Sequence, residues 1–281
     1  MVLDLRDPAF LSIIGGYSAT DPDAANYITR VETATGQGMI SGVKKAVDDL
    51  FQWVGTNTTM TKAQLFRATY LFAGHTSVAG CLVPFMQTAN LGSATNNGTG
   101  TFSRSTGMTG SQTGYPNTGS ISVSVPNGFI STSSASFYVH LNSLGSTLPA
   151  ANITTPIATS TDRFGLLMRA DLTPDVIQPR TWTTSNAGDT FSNYNTGSWT
   201  LLSTTDASFA TRTYYLNNTG GESQHTISRA TATATLTSLE FARSAVPVAF
   251  AGFSVQIPTA DGQNIRQRFD QFVQEINAAA P

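Results

Sequence analysis

Charge is what this 281-residue chain most lacks: only 11% of its side chains are Asp, Glu, Lys or Arg, against about 25% in an ordinary globular domain. Three lysines occur, Lys44, Lys45 and Lys62, and the formal net charge is -2. That balance offers no clustered basic footprint, so no nucleic-acid partner is expected. Poverty of charge does not mean disorder here, because 40% of the residues are hydrophobic. It points to a surface of hydroxyls and amides over a real core.

Cysteine is nearly absent. Cys81 stands alone, which excludes an intramolecular disulfide, and its apolar setting, Ala79-Gly80-Cys81-Leu82-Val83, predicts a buried, inert thiol. The start, Met-Val-Leu-Asp-Leu-Arg-Asp, lacks the basic and apolar regions of a secretory leader, so synthesis and folding in a cytosol are expected. No apolar run approaches the ~18 residues of a membrane span, and no membrane insertion is expected.

Groups that carry chemistry are equally sparse. His75, His140 and His225 are far apart and show no metal-ligand spacing, so neither a metal site nor a cofactor is expected. There is no G-x-S-x-G nucleophile turn. Sandwich glycosidases need two carboxylates about 5–5.5 Å apart, which alternate positions on a strand supply. The four glutamates, Glu32, Glu222, Glu240 and Glu275, have no acidic residue two or four positions away, and Asp171 and Asp175 are separated by Pro174. A glycoside hydrolase is therefore the least supported function, and the expectation is a protein that is not an enzyme.

What is present divides the chain into four parts. Residues 1–20 read as an arm: the residue before Pro8 is disfavoured in a helix, and Phe10, Ile13, Ile14 and Tyr17 form a short apolar patch suited to anchoring on its own domain or a neighbouring subunit. Residues 21–85 read as helical. Asp21 is a good N-cap with Pro22 at the first helical position. After a break at Gly36, Met39, Ile40, Val43, Val47, Leu50, Phe51 and Val54 recur at helical spacing. A third helix is expected after Thr61, with Leu65, Ala68, Leu71 and Phe72 inward.

From 86 to 258 the pattern changes to period two, as in Ser120-Ile121-Ser122-Val123-Ser124-Val125 and Ala135-Ser136-Phe137-Tyr138-Val139-His140. Between Met86 and Thr161 the only charged side chain is Arg104. Further strands are expected at 164–169, 181–184, 198–204, 207–217, 230–243 and 248–256, while Gly107-Met108-Thr109-Gly110 reads as a turn and His225 as part of a loop. Many short strands punctuated by Gly, Pro and Asn make the fold class mainly β, an antiparallel β-sandwich or jelly roll. Residues 259–281 close the chain with a helix capped by Thr259. It packs Ile265, Phe269, Phe272, Val273 and Ile276 on the sandwich and leaves Arg266 and Arg268 on the solvent side.

Four stretches in order resemble a group of bacteriophage tail-associated proteins. Asp23-Ala24-Ala25-Asn26-Tyr27-Ile28 with Val31-Glu32-Thr33-Ala34-Thr35-Gly36-Gln37 is similar to a helical "AYI…VE-A-DGQ" motif. Leu71 to Pro84 is similar to "LAGA-TLAGALVPL", and Phe102 to Gly110 to a "YNR-TGLVG" element that opens a LamG-like, concanavalin A-type sandwich. Ala251-Gly252-Phe253-Ser254-Val255 and the final helix match the group's ending, although its usual "FYSIG" strand is here Phe253-Ser254-Val255-Gln256-Ile257.

The resemblance implies a virion structural protein, assembled in a host cytoplasm alongside other virion proteins. It is tail-associated, or else a capsid or neck decoration protein that clamps neighbouring subunits. The apolar arm and charge-poor surface predict a homo-oligomer, taken as a trimer. For a host-surface glycan, the candidate site is the stretch 180–200, where Trp182, Tyr194 and Trp199 could stack on sugar rings and Asn186 and Asp189 could bond hydroxyls. The competing reading makes both tryptophans core anchors of adjacent strands.

Overall fold

A computed structural model describes residues 16–98, 100–110, 121–126, 129, 134–144, 151–154, 164–169, 176–181, 197–206, 208, 211–218, 221–228, 238–242 and 246–280. It is mainly β and antiparallel, with helices before and after the strands.

The N-terminal helices form where their end signals stand. Helix α1 (Pro22–Thr35) starts at Asp21, whose carboxylate accepts the Asp23 and Ala24 amides, and stops at Gly36 with φ 64°. Helix α2 (Ser41–Asn57) buries Val43, Ala46, Val47, Leu50, Phe51 and Val54 on one face. Thr61 and Gln64 close a capping box on α3 (Lys62–Leu65), which is a single turn. The expected third helix ends there. Ala68–Leu71 is instead strand β1, buried at every position. The spacing of Leu65, Ala68 and Leu71 misled because a strand covered on both faces has no polar period to read. A second single turn, α4 (Val78–Cys81), follows.

Strands β2 (Ala94–Asn96), β3 (Gly100–Ser103), β4 (Gly107–Gly110), β5 (Ile121–Ser124) and β6 (Ser136–Leu144) come next, then β7 (Ala151–Thr154), β8 (Phe164–Arg169) and β9 (Val176–Thr181). After them stand β10 (Gly197–Thr205), β11 (Thr211–Asn218), β12 (Gly221–Ser228), β13 (Ser238–Phe241) and β14 (Val248–Ser254). Gly107–Gly110 is thus a strand rather than a turn, and His225 lies on β12 rather than in a loop.

The main sheet runs β12-β11-β10-β6-β14-β4-β3. Along one edge of β14, β4 meets Val248 and β1 takes over from Phe250 to Phe253. Two three-stranded sheets, β13-β5-β2 and β7-β8-β9, complete the β structure described.

Alternation along the central strands sorts side chains into two cores. Phe137, Val139 and Leu141 of β6 pack with Ile121, Val123, Leu239 and Phe241 of the small β13-β5-β2 sheet. Tyr138 of β6 faces the other way, with Leu202, Tyr215 and Phe250, toward the helices. Helix α5 (Thr259–Ala279) lies on that face with Ile265, Phe269, Phe272, Val273 and Ile276 buried. It begins at Thr259 itself, with Pro258 in the cap position and no side-chain cap. The main sheet is therefore covered on both sides, by a sheet and by helices, and β1 ties the helical segment into it.

Candidate functional site

Two polar constellations stand out, and both lie where helices meet the main sheet. The first gathers the segments that resemble phage proteins. His75 is 1% exposed, and its Nε2 donates to the Leu71 carbonyl at 2.9 Å, which fixes the tautomer. Its Nδ1 is buried without a partner. Burial pushes the imidazole down to about 4, against the Leu71 bond that favours the charged form. The Tyr27 hydroxyl of α1 stands 3.4 Å from the same ring.

Next to it, the Gly74 amide donates to the Arg104 carbonyl at 2.7 Å. Gly74 has φ 80°, and an added Cβ would stand 2.9 Å from Ile276 of α5 and 3.2 Å from Val43 of α2. Gly107, with φ 92°, lets β4 approach β14 so closely that an added Cβ would fall 2.1 Å from the Val248 carbonyl oxygen. Arg30 of α1 spends its guanidinium on the Pro84 and Phe85 carbonyls, both at 2.9 Å. Cys81 is fully buried with Sγ 3.4 Å from the Phe72 carbonyl, and desolvation raises its thiol far above the usual range. Its burial is what the sequence suggested.

The second constellation runs from the surface inward at the start of β10. Ser198 is exposed, and its Oγ stands 2.7 Å from His140 Nε2. His140 is fully buried; its Nδ1 is 2.8 Å from Thr200 Oγ1 and 3.3 Å from Asp270 Oδ1. Asp270 pairs with Arg266 at 2.5 Å. Burial alone would raise the Asp270 carboxyl, but bonding to His140, the charges of Arg266 and His140 and bonding to Thr200 together hold it below its ordinary value.

Serine, imidazole and carboxylate in that order are the parts of a nucleophile–base–acid relay. The Ser198 hydroxyl, however, is shared: besides its contact with His140 Nε2 it donates to Asn142 Oδ1 at 2.8 Å. Asn142 is held in turn by the Thr106 carbonyl and by Asn277 of α5, each at 3.3 Å. The network ties β6, β10 and α5 together at the sheet's helical face.

No family model and no curated protein matches the chain. Among solved structures it is similar to domain 4 of AbnA, a GH43 extracellular arabinanase from Geobacillus stearothermophilus in complex with arabinotriose. The TM-score there is 0.35 and the identity 9%, over 59% of this chain and 75% of that one. It is also similar to the Trypanosoma rangeli sialidase at a TM-score of 0.42 and 11% identity, over 84% of this chain and 38% of that one. The complex of that sialidase with sialic acid scores 0.39 at 9% identity. Likeness at these scores assigns no function.

Of the residues expected to bind sugar, Trp199 is corrected by the structure. It is 0% exposed and belongs to the core between the main sheet and the β13-β5-β2 sheet, opposite Leu141. It points away from solvent because its neighbours Ser198 and Thr200 take the polar face of β10. Trp182, Asn186, Asp189 and Tyr194 lie outside the described residues, as do Phe10, Ile13 and Ile14 of the arm.

Tyr17 is described and is anchored. Its hydroxyl donates to Asp48 Oδ2 at 2.5 Å, and the same carboxylate accepts the Thr20 and Asp21 amides, the Thr20 hydroxyl and the Gln52 amide. Burial would raise Asp48, but these donors, Tyr17 first, hold it below the usual carboxylate range.

Arg266 and Arg268 are 1% and 7% exposed, so the expected solvent side of α5 is wrong for both. Each has an acidic partner on its own helix, Asp270 and Glu275 respectively. The His140 network escaped the sequence because its members come from positions 140, 198 and 270. The one legible signal was alternation, which puts His140 beside Asn142 and Ser198 beside Thr200 on single strand faces.

Proposed function

We propose that this chain is a non-enzymatic, tail-associated structural protein of a bacteriophage particle, whose sandwich meets a host-surface glycan or a partner subunit. One observation supports the reading above others. The four stretches that resemble phage proteins, spread over some 250 positions, meet in one joint: Tyr27 beside His75, and Gly74 on Arg104 and Ile276. Their residues serve packing and close backbone approach, so the resemblance concerns architecture rather than catalysis. Asp48 gives the arm a fixed root on the helical layer, which suits an arm carrying Phe10, Ile13 and Ile14 to a neighbouring virion protein or to another copy in a trimer.

A capsid or neck decoration protein would use the same parts with different partners. Locating the subunit in an intact particle by cryo-electron microscopy decides between them. Density at the tail is expected. Density on the capsid lattice, with residues 1–15 wedged between neighbours, would replace the tail assignment with a clamp.

The non-enzymatic part has its own test at Ser198. In this reading the Ser198–His140–Asp270 line is a brace between strands and helix, its hydroxyl shared with Asn142. Ser198→Ala is expected to lower stability by about 1 kcal/mol, read by chemical denaturation. A fluorophosphonate probe is expected to leave Ser198 unmodified, and stoichiometric labelling there would make the protein a hydrolase.

A further inference from the structure

With Trp199 in the core, the described surface still offers an aromatic platform of its own. One cleft supplies it. It lies between α2 and α5, encloses about 340 Å³, and is lined by Trp53 and Asn57 of α2 and by Asn264, Gln267, Arg268 and Gln271 of α5. Its volume falls at the low end of small-ligand sites, roughly 300–1,000 Å³, which suits a short saccharide.

The spacing explains how the residues meet. Positions 53 and 57 are four apart, and 264, 267, 268 and 271 follow a three–four repeat, so each set forms one stripe on its helix. The two helices run antiparallel. They touch at one end, where a Cβ on Gly42 would lie 2.7 Å from the Ala279 Cβ, and Thr59 bonds Asp261 at 3.1 Å near the other. Between these contacts the polar stripes flank the cleft.

Its chemistry is specific. Trp53 is half-buried, packed against the helical core and lining the cleft at the same time, so its indole is held as a firm apolar surface. Asn264 and Gln271 are exposed carboxamides, a group that carries donor and acceptor together, as sugar hydroxyls require, whereas the Asn57 amide bonds the Trp53 carbonyl and the Thr56 hydroxyl of its own helix. Arg268 is 7% exposed, and its guanidinium faces both carboxylate oxygens of Glu275 at 3.3 Å. The floor of the cleft therefore carries a compensated charge, which disfavours an acidic ligand.

We propose that the α2–α5 cleft binds a neutral saccharide, with one ring stacked on Trp53 and its hydroxyls bonded by Asn264 and Gln271. This inference rests on the glycan-binding reading above and gives it a location. The test titrates the full chain with methyl glycosides of glucose, galactose, mannose and N-acetylglucosamine, their disaccharides, and N-acetylneuraminic acid, by saturation-transfer NMR and calorimetry.

A neutral sugar is expected to bind. Trp53→Ala should weaken it about tenfold and the exposed Gln271→Ala several-fold, with circular dichroism unchanged. Trp53→Phe should retain part of the affinity. Equal binding by wild type, Trp53→Ala and Gln271→Ala would place the sugar elsewhere and overturn this site alone. Preference for N-acetylneuraminic acid would overturn the neutral class. Absence of binding to any probe by the wild type would overturn the site and the glycan reading together.

Discussion

Phe85→Ala is expected to destabilise the protein by roughly 3–5 kcal/mol, the largest effect of any single truncation proposed for this chain. Phe85 is fully buried and follows Pro84 at the end of a stretch that resembles phage proteins. Its ring centroid lies 4.7 Å from Tyr27 of α1, 5.5 Å from Phe51 of α2, 5.2 Å from Phe66, 5.5 Å from Phe250 of β14 and 6.0 Å from Phe272 of α5. No single secondary-structure element supplies these partners, so the neighbours cannot close the cavity by shifting one segment. The residual void adds to the lost transfer energy. Differential scanning calorimetry should show Tm lowered by roughly 5–9 °C, and Phe85→Leu should recover most of it. A shift under about 2 °C would mean that the helical layer is not cemented through this ring.

Acid is expected to weaken the fold before any carboxylate titrates. His75 falls from 6.5 in the unfolded chain to about 4 in the fold, because burial penalises its charged form and its Nδ1 has no partner. The folded state thus binds fewer protons than the unfolded one. The stabilisation is complete above pH 6.5 and is lost progressively as pH falls toward 4. Taken to its limit, the loss amounts to about 3 kcal/mol.

The lowered carboxyls of Glu32, Asp48 and Asp270 act in the same direction but only below their ordinary values near 4. Urea denaturation across pH 7 to 5.5 therefore isolates the histidine. His75→Leu, which keeps the site apolar, should flatten that slope, whereas His75→Leu with an unchanged slope would place the acid sensitivity elsewhere.

The same histidine shows how far reading residues one after another can go. The sequence shows only that His75 has no metal-ligand spacing, and the structure makes it a buried packing residue with one ring nitrogen unpartnered. What it packs against, Tyr27 on one side and the Leu71 carbonyl on the other, depends on how α1 docks. The proposed α2–α5 cleft is a parallel case. The three–four spacing of Asn264, Gln267, Arg268 and Gln271 is visible in the sequence, but the facing Trp53 is more than 200 positions away. Trp182, Tyr194 and Trp199, by contrast, are close in sequence.

The sequence by itself determined what local rules govern. The Asp21-Pro22 start and Gly36 stop of α1, the amphipathic stripe of α2, the period-two strands and the apolar stripe of α5 each follow from caps or periods acting within a few residues. Tertiary structure decided the rest. It made Ala68–Leu71 a strand by seating it on β14 and turned Trp199 into the core through the register of β10 on β6. It also buried Arg266 beside Asp270 and assembled Ser198, His140 and Asp270 from three distant segments. Antiparallel pairing and helix docking join residues tens to hundreds of positions apart. Burial on both faces then erases the polar alternation that would have announced it.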